Sequence, residues 1–159
     1  MRTLKFRAYD KKEKKWLWPY PDGFHIIGEV TVFDMLGNCS MSKYIDFEIV
    51  QWTGLYDNTK WEDLTTIEHL DWIDKGQTKD DWKGKEIYEG DIIAPPNFDC
   101  KAIVKFGEYN NDRAYEENVC GYGWYYETIE DNQIWDMYDL QMYKIKGNIY
   151  ENPELLKGE

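Results

Sequence analysis

The tightest constraint on this chain is the spacing of its apolar residues, which alternate every second position in five segments and follow a helical period in only one. Leu4-Lys5-Phe6-Arg7-Ala8-Tyr9 alternates apolar and polar, so it reads as a strand with Leu4, Phe6 and Ala8 on one face. Tyr44 to Trp52 alternates too, with Ile45, Phe47 and Ile49 on one side and Asp46, Glu48 and Val50 on the other. Ala102, Val104 and Phe106 share a face further on, and Trp124-Tyr125-Tyr126-Glu127-Thr128-Ile129 is strongly β-prone. Such a chain folds by pairing strands, and its aromatic residues supply the burial. It holds 8 Trp, 13 Tyr and 6 Phe among 159 residues, each ring able to bury roughly 150–250 Å².

Turn signals cut the alternating runs into hairpins. Asp10 to Lys15 is a turn, followed by a return strand at Trp16-Leu17-Trp18 that Pro19 and Pro21 end. Glu29 to Phe33 reads as another strand. Glu86-Ile87-Tyr88, the polar turn Glu89-Gly90-Asp91 and Ile92-Ile93-Ala94 form a further hairpin, stopped by Pro95-Pro96. Residues 107–118 are polar and predict a mobile loop, and Gly121-Tyr122-Gly123 predicts a turn or bulge. Tyr143 to Ile149 is the last strand. Asn152-Pro153-Glu154 places a cap, a proline and an acid at the head of a terminal helical turn.

One segment is helical. Thr65 and Glu68 stand at capping-box spacing, and Ile67, Leu70 and Ile73 fall close to one face. Lys75 sits in the last turn and Gly76 supplies a left-handed stop. Thr59 and Glu62 also fit the box, but Leu64 before Thr65 favours the later start. Thr78 and Asp81 predict one further short turn before Trp82.

Charge is divided unevenly. The net charge is −12, yet residues 1–16 carry seven bases and two acids, while the rest of the chain is acidic. The lysines of Lys11-Lys12-Glu13-Lys14-Lys15 read as a solvated hairpin tip or as a contact for phosphate or an acidic partner. An acidic body repels nucleic acid at long range, so nucleic acid is a disfavoured partner. No apolar run is long enough to span a membrane, and the charged N-terminus lacks the apolar stretch of a signal peptide. The three cysteines, Cys39, Cys100 and Cys120, are widely spaced and odd in number. Both facts point to reduced thiols and a cytoplasmic location.

The residues that chemistry would need do not assemble in sequence. His25, between Phe24 and Ile26, reads as a strand histidine, and His69 as an exposed helix residue. The nearest cysteine pair is 20 residues apart, far from zinc-ligand spacing. No glycine-rich phosphate loop, nucleophile elbow or calcium loop is present, and Asn110-Asn111-Asp112 lacks the glycine and glutamate such a loop requires. The expectation is a non-enzymatic protein with no catalytic residue, no cofactor and no metal.

Four segments carry a family signal: Met1-Arg2-Thr3-Leu4-Lys5-Phe6-Arg7-Ala8-Tyr9-Asp10, Gln51-Trp52-Thr53-Gly54-Leu55-Tyr56-Asp57, Gly84-Lys85-Glu86-Ile87-Tyr88-Glu89-Gly90-Asp91-Ile92-Ile93, and Gly147-Asn148-Ile149-Tyr150-Glu151-Asn152-Pro153-Glu154-Leu155-Leu156. Together, and in this order, they resemble the YopX family of phage and prophage proteins. In many members a short turn joins the second and third segments, whereas here residues 58–83 intervene. The resemblance implies a phage-derived protein of the host cytoplasm, mainly β, built on a small SH3-like, partly open barrel. It implies no activity and supplies no catalytic residue.

The resulting organisation is an N-terminal antiparallel β segment (1–57), one short helical insertion (58–83) and a small barrel with a C-terminal turn (84–159). Gly54, Gly90 and Gly147 are read as backbone-geometry residues. The functional expectation is protein binding, either to a host or phage protein or to a second copy as a homo-oligomer, with the consecutive rings of Trp124, Tyr125 and Tyr126 as candidate contacts. Two alternatives stand beside it. One is a nucleic-acid-associated barrel using the basic head; the other is an acidic mimic that occupies a host DNA-binding protein.

Overall fold

The computed structural model describes residues 5–17, 47–95, 100–111, 119–137 and 142–157. The strand read at Glu29–Phe33, together with His25 and Cys39, lies outside them. The described chain is mainly β. Strands β1 (Phe6–Asp10), β2 (Lys15–Leu17), β3 (Phe47–Tyr56) and β4 (Glu86–Tyr88) form one antiparallel sheet in the order β2-β1-β3-β4. Strands β5 (Asp91–Ala94), β6 (Ala102–Asn111), β7 (Val119–Thr128), β8 (Ile134–Asp136) and β9 (Lys144–Asn148) form a second, in the order β8-β7-β6-β5-β9.

The two sheets meet at the turn between β4 and β5. There the Glu89 N–H donates to the Gln51 carbonyl and the Gly90 N–H to the Val104 carbonyl, so one turn is tied to both sheets. The sheets curl into a small, partly open barrel. Its core is Ile87, Ile93, Ala102, Val104 and Tyr126, closed by Trp124, Met137, Tyr143 and Ile145. Ala102, Val104 and Tyr126 come from one face of the paired strands β6 and β7, as alternation requires.

Three details differ from the sequence expectation. Residues 107–111 are not loop: β6 continues to Asn111, and β7 begins at Val119. Gly121-Tyr122-Gly123 is not a turn but strand interior, with Gly123 opposite Gly107 and Gly121 opposite Tyr109. Polarity misled here because one face of the outer ribbon is exposed, while on the other, half-buried face the Tyr109 ring lies where a side chain on Gly121 would go. Near the start of β3 Val50, on the row of Glu48, is buried rather than Ile49. The strand also runs on through Gly54, where its register with β4 shifts, to Tyr56.

The helix α1 (Thr66–Asp74) starts as the capping box requires. The Thr65 N–H donates to Glu68 Oε2 (2.8 Å), and the Glu68 N–H donates to Thr65 Oγ1 (3.3 Å). Gly76 closes it with φ +74°. A short 3-10 turn follows at Lys79–Asp81, and another lies at Pro153–Leu156.

Candidate functional site

The family-like segments converge on buried polar clamps. Arg7 of β1 reaches Asp91 at the start of β5, which is 1% exposed. Its guanidinium carbon lies 4.1 Å from the Trp16 ring centre and 4.2 Å from that of Tyr88. Asp91 also accepts the Tyr88 N–H (2.8 Å), closing the turn. Burial pushes the Asp91 carboxyl up to about 6, with the Arg7 charge and the Tyr88 N–H acting against that rise. Tyr88 is raised beyond the usual tyrosine range, first by burial and then by Glu86, to which its hydroxyl donates.

Asp57 is the second clamp. Its Oδ1 accepts the N–H groups of Thr59 and Lys85, and its Oδ2 accepts the Thr59 hydroxyl and the Ile145 N–H. One carboxylate therefore joins the end of β3, the approach to β4 and strand β9. Gly84 beside it has φ +118°, and a Cβ there would stand 2.1 Å from the Asp57 carbonyl oxygen. Asn148 is the third: its Oδ1 accepts the N–H groups of Tyr150 and Glu151, which folds the C-terminal turn back. The oxygens of Asp91, Asp57 and Asn148 are all engaged by the fold, so the clamps read as architecture, although the Arg7 Nε is buried without a partner among the described residues.

Among the described residues, apolar area is grouped on three surfaces. The first is the outer part of the β6–β7 ribbon. The core face continues past Val104 and Tyr126 to Phe106, Trp124 and Tyr122. Phe106 is 40% exposed and Tyr122 73% exposed. Their rings touch edge-on at 5.4 Å, and Phe106 meets Trp124 at 4.8 Å. The Trp124 indole N–H is buried without a partner among the described residues. Of the consecutive Trp124, Tyr125 and Tyr126, only Tyr126 is buried. Tyr125 faces the other side, against Tyr109.

The second is α1. The helix turns His69 and Trp72 inward onto Trp61 and Trp82. His69, read as exposed, is half-buried and donates to the Trp61 carbonyl (3.0 Å). Indole donors complete this small cluster: Trp72 to the Thr78 carbonyl and Trp82 to that of Thr59. Ion pairs Lys85–Glu68 (2.6 Å) and Lys144–Asp63 (2.7 Å) hold the insertion to the barrel. The Lys85 ammonium and Thr65 hold Glu68 down at about 2. Ile67, Leu70 and Ile73 therefore remain outside, at 72%, 55% and 55% exposure.

The third is a groove of about 590 Å³ between the β1–β2 turn and the C-terminal turn, walled by Tyr9 and Tyr150 and flanked by Lys11 and Lys14. The two tyrosine rings stack at 5.2 Å. Sequence reading identified the lysines but missed the groove, because its walls lie 141 positions apart; the only hint was that both tyrosines fall within family-like segments.

Among the described residues no group of three or more His, Cys, Asp or Glu is placed to hold a metal ion, and Cys100 and Cys120 are exposed thiols. No described helix is long and apolar enough to cross a membrane.

Two sheets curled into a partly open barrel, clamped by buried polar side chains and carrying exposed apolar faces, define a small β-barrel protein. The YopX protein family model matches residues 76–157, half of the chain, and the chain belongs to the YopX family. The matched span contains the third and fourth family-like segments. The first two lie outside it and are tied to it by Arg7–Asp91 and by Asp57. Membership marks a phage-associated protein and assigns no activity. No curated protein matches the chain.

Proposed function

We propose that this protein is a non-enzymatic phage accessory protein of the host cytoplasm that works by binding protein and by self-association. The observation that carries the reading is the ribbon face of Phe106, Trp124 and Tyr122. It extends the core face of the barrel into solvent, where aromatic side chains contribute most to protein contacts. The net charge of −12 supports a protein partner over nucleic acid, because duplex and single strands alike carry dense negative charge.

Light scattering coupled to size exclusion at micromolar concentration and about 0.15 M salt tests the reading, since exposed charges are screened there beyond about 8 Å. An oligomer, with no shift of labelled single-stranded DNA or RNA in the same buffer, is the expected result. A monomer that binds nucleic acid tightly and salt-dependently overturns it.

A further inference from the structure

Two exposed surfaces of this chain complement one another. On α1, Ile67, Leu70 and Ile73 form an outward apolar stripe. At 100° per residue Asp71 and Asp74 fall beside Ile67 on the same face, and neither makes an ion pair among the described residues. Residues 61–74 hold five carboxylates and no base.

The groove beneath the N-terminal hairpin has the opposite character. Its walls are the stacked Tyr9 and Tyr150 with Ile149 and Pro153, and its flanks carry Lys11 and Lys14, with Glu151 the one acid. The backbone of the turn that carries the lysines is fixed. Asp10 Oδ1 accepts the N–H groups of Lys12 and Glu13, both at 2.9 Å, and Lys14 takes φ +54°. Lys11 pairs with Glu48 at 2.5 Å, whereas Lys14 makes no ion pair among the described residues. A preformed, apolar-walled groove with cationic flanks suits an amphipathic helix that presents aliphatic anchors flanked by carboxylates.

We propose that α1 of one copy seats in this groove of a second copy, with its aliphatic stripe against Tyr150, Ile149 and Pro153 and with Asp71 and Asp74 facing Lys11 and Lys14. The proposal rests on the self-association reading but uses neither Phe106 nor Tyr122. The two surfaces differ, so the contact is head-to-tail and builds a ring or a chain rather than a two-fold dimer. One helix face buries less than a standard interface, so the contact belongs at the weak end of the scale.

Charge reversal tests it. Sedimentation velocity is run at tens of micromolar on the wild type, on Asp71→Lys/Asp74→Lys and on Lys11→Glu/Lys14→Glu, each first shown folded by circular dichroism. Lys14→Glu alone serves as a milder variant that leaves the Lys11–Glu48 pair intact. Each double variant is expected to weaken association at least tenfold, and an equimolar mixture of the two to recover it to within about threefold, because one mixed pairing then has both charges reversed, the other is the wild-type pairing, and both are attractive. Double variants that associate like the wild type, or a mixture that stays monomeric, overturn the head-to-tail contact. A wild type that is monomeric throughout removes self-association itself. A wild type that associates and loses association only with Tyr122→Ser retains the ribbon and removes this contact.

Discussion

Arg7 and Asp91, 84 residues apart in sequence, form an ion pair in which the guanidinium lies between the rings of Trp16 and Tyr88 and the carboxylate is buried. This joins the first strand of one sheet to the first strand of the other at the turn where the sheets meet. Removing one partner strands the other. Arg7→Met leaves a buried carboxylate uncompensated, at a cost of about 3–5 kcal/mol. Asp91→Asn keeps the shape and removes the charge, and costs less. Urea denaturation at pH 7 compares the two; losses below about 1 kcal/mol in both would show that the pair's charge is irrelevant.

The same pair sets a pH signature. Asp91 is raised to about 6 chiefly by burial, so the stability it contributes is fully present below about pH 4 and is lost as pH rises through 6. A shift of roughly two units corresponds to about 3 kcal/mol. The stability difference between wild type and Asp91→Asn is therefore expected to move against the wild type between pH 4 and 7. A difference that is flat over this window would contradict a buried, elevated carboxyl.

Two glycines are tied to turn geometry, and they separate by cost. Gly90 takes φ +79° in the β4–β5 turn, with Ile149 and Tyr150 about 3.2–3.3 Å from where a Cβ would stand. Gly90→Val is expected to destabilise by at least about 1–3 kcal/mol from backbone strain. Gly84 combines φ +118° with a Cβ position 2.1 Å from the Asp57 carbonyl oxygen, which the Asp57 clamp holds in place. Even Gly84→Ala adds overpacking of about 1–3 kcal/mol to that strain, so it is expected to cost more than Gly90→Ala. Melting midpoints of the two alanine variants in the opposite order would contradict this.

How far the sequence revealed the fold depended on the range of the forces involved. The capping box at Thr65 and Glu68, the stop at Gly76 and the turn at Gly90 are local, and each stands where its spacing placed it. The extended β6–β7 ribbon carries no such local mark: Asn110 pairs with Cys120 and Gly107 with Gly123 across a polar segment with no apolar alternation of its own. The outward direction of Ile67, Leu70 and Ile73 was hidden for a related reason. Their spacing marks a helix face, but Trp61 and Trp82, outside the helix, take His69 and Trp72 as the inner face instead. Asp57 and Arg7 stood inside recognised segments, yet their partners could be named only once the sheets were in place.

The insertion is fastened partly by Glu68, and that fastening is acid-sensitive. Hydrogen bonds from Lys85 and then from the Thr65 backbone hold Glu68 down at about 2, so its contribution is present above about pH 4.5 and is lost as pH falls through 2. The pair is more than a third exposed, so its worth is below about 1 kcal/mol. Hydrogen exchange across residues 61–82 is expected to quicken relative to the barrel core as pH falls through this window, after correction for intrinsic rates. Glu68→Gln is expected to show the faster relative exchange already at neutral pH. Identical protection in the variant would place the fastening elsewhere, on Lys144–Asp63 and the indole donors.

The ribbon face yields the final prediction, because exposure and contribution to folding separate there. Tyr122 is 73% exposed, so Tyr122→Ser removes little that folding uses and is expected to shift stability by no more than about 0.5 kcal/mol. Phe106 touches both Tyr122 and Trp124, so Phe106→Ser takes more from the fold and confuses the two effects. Tyr122 is therefore the cleaner probe. Fully desolvated aromatic residues at a contact cost about 2 kcal/mol or more when truncated, which corresponds to a weakening of more than tenfold. Tyr122→Ser is expected to keep the wild-type melting midpoint while losing affinity for whatever covers the ribbon, whether a second copy or another protein. An unchanged affinity at an unchanged midpoint would show that this face stays in solvent.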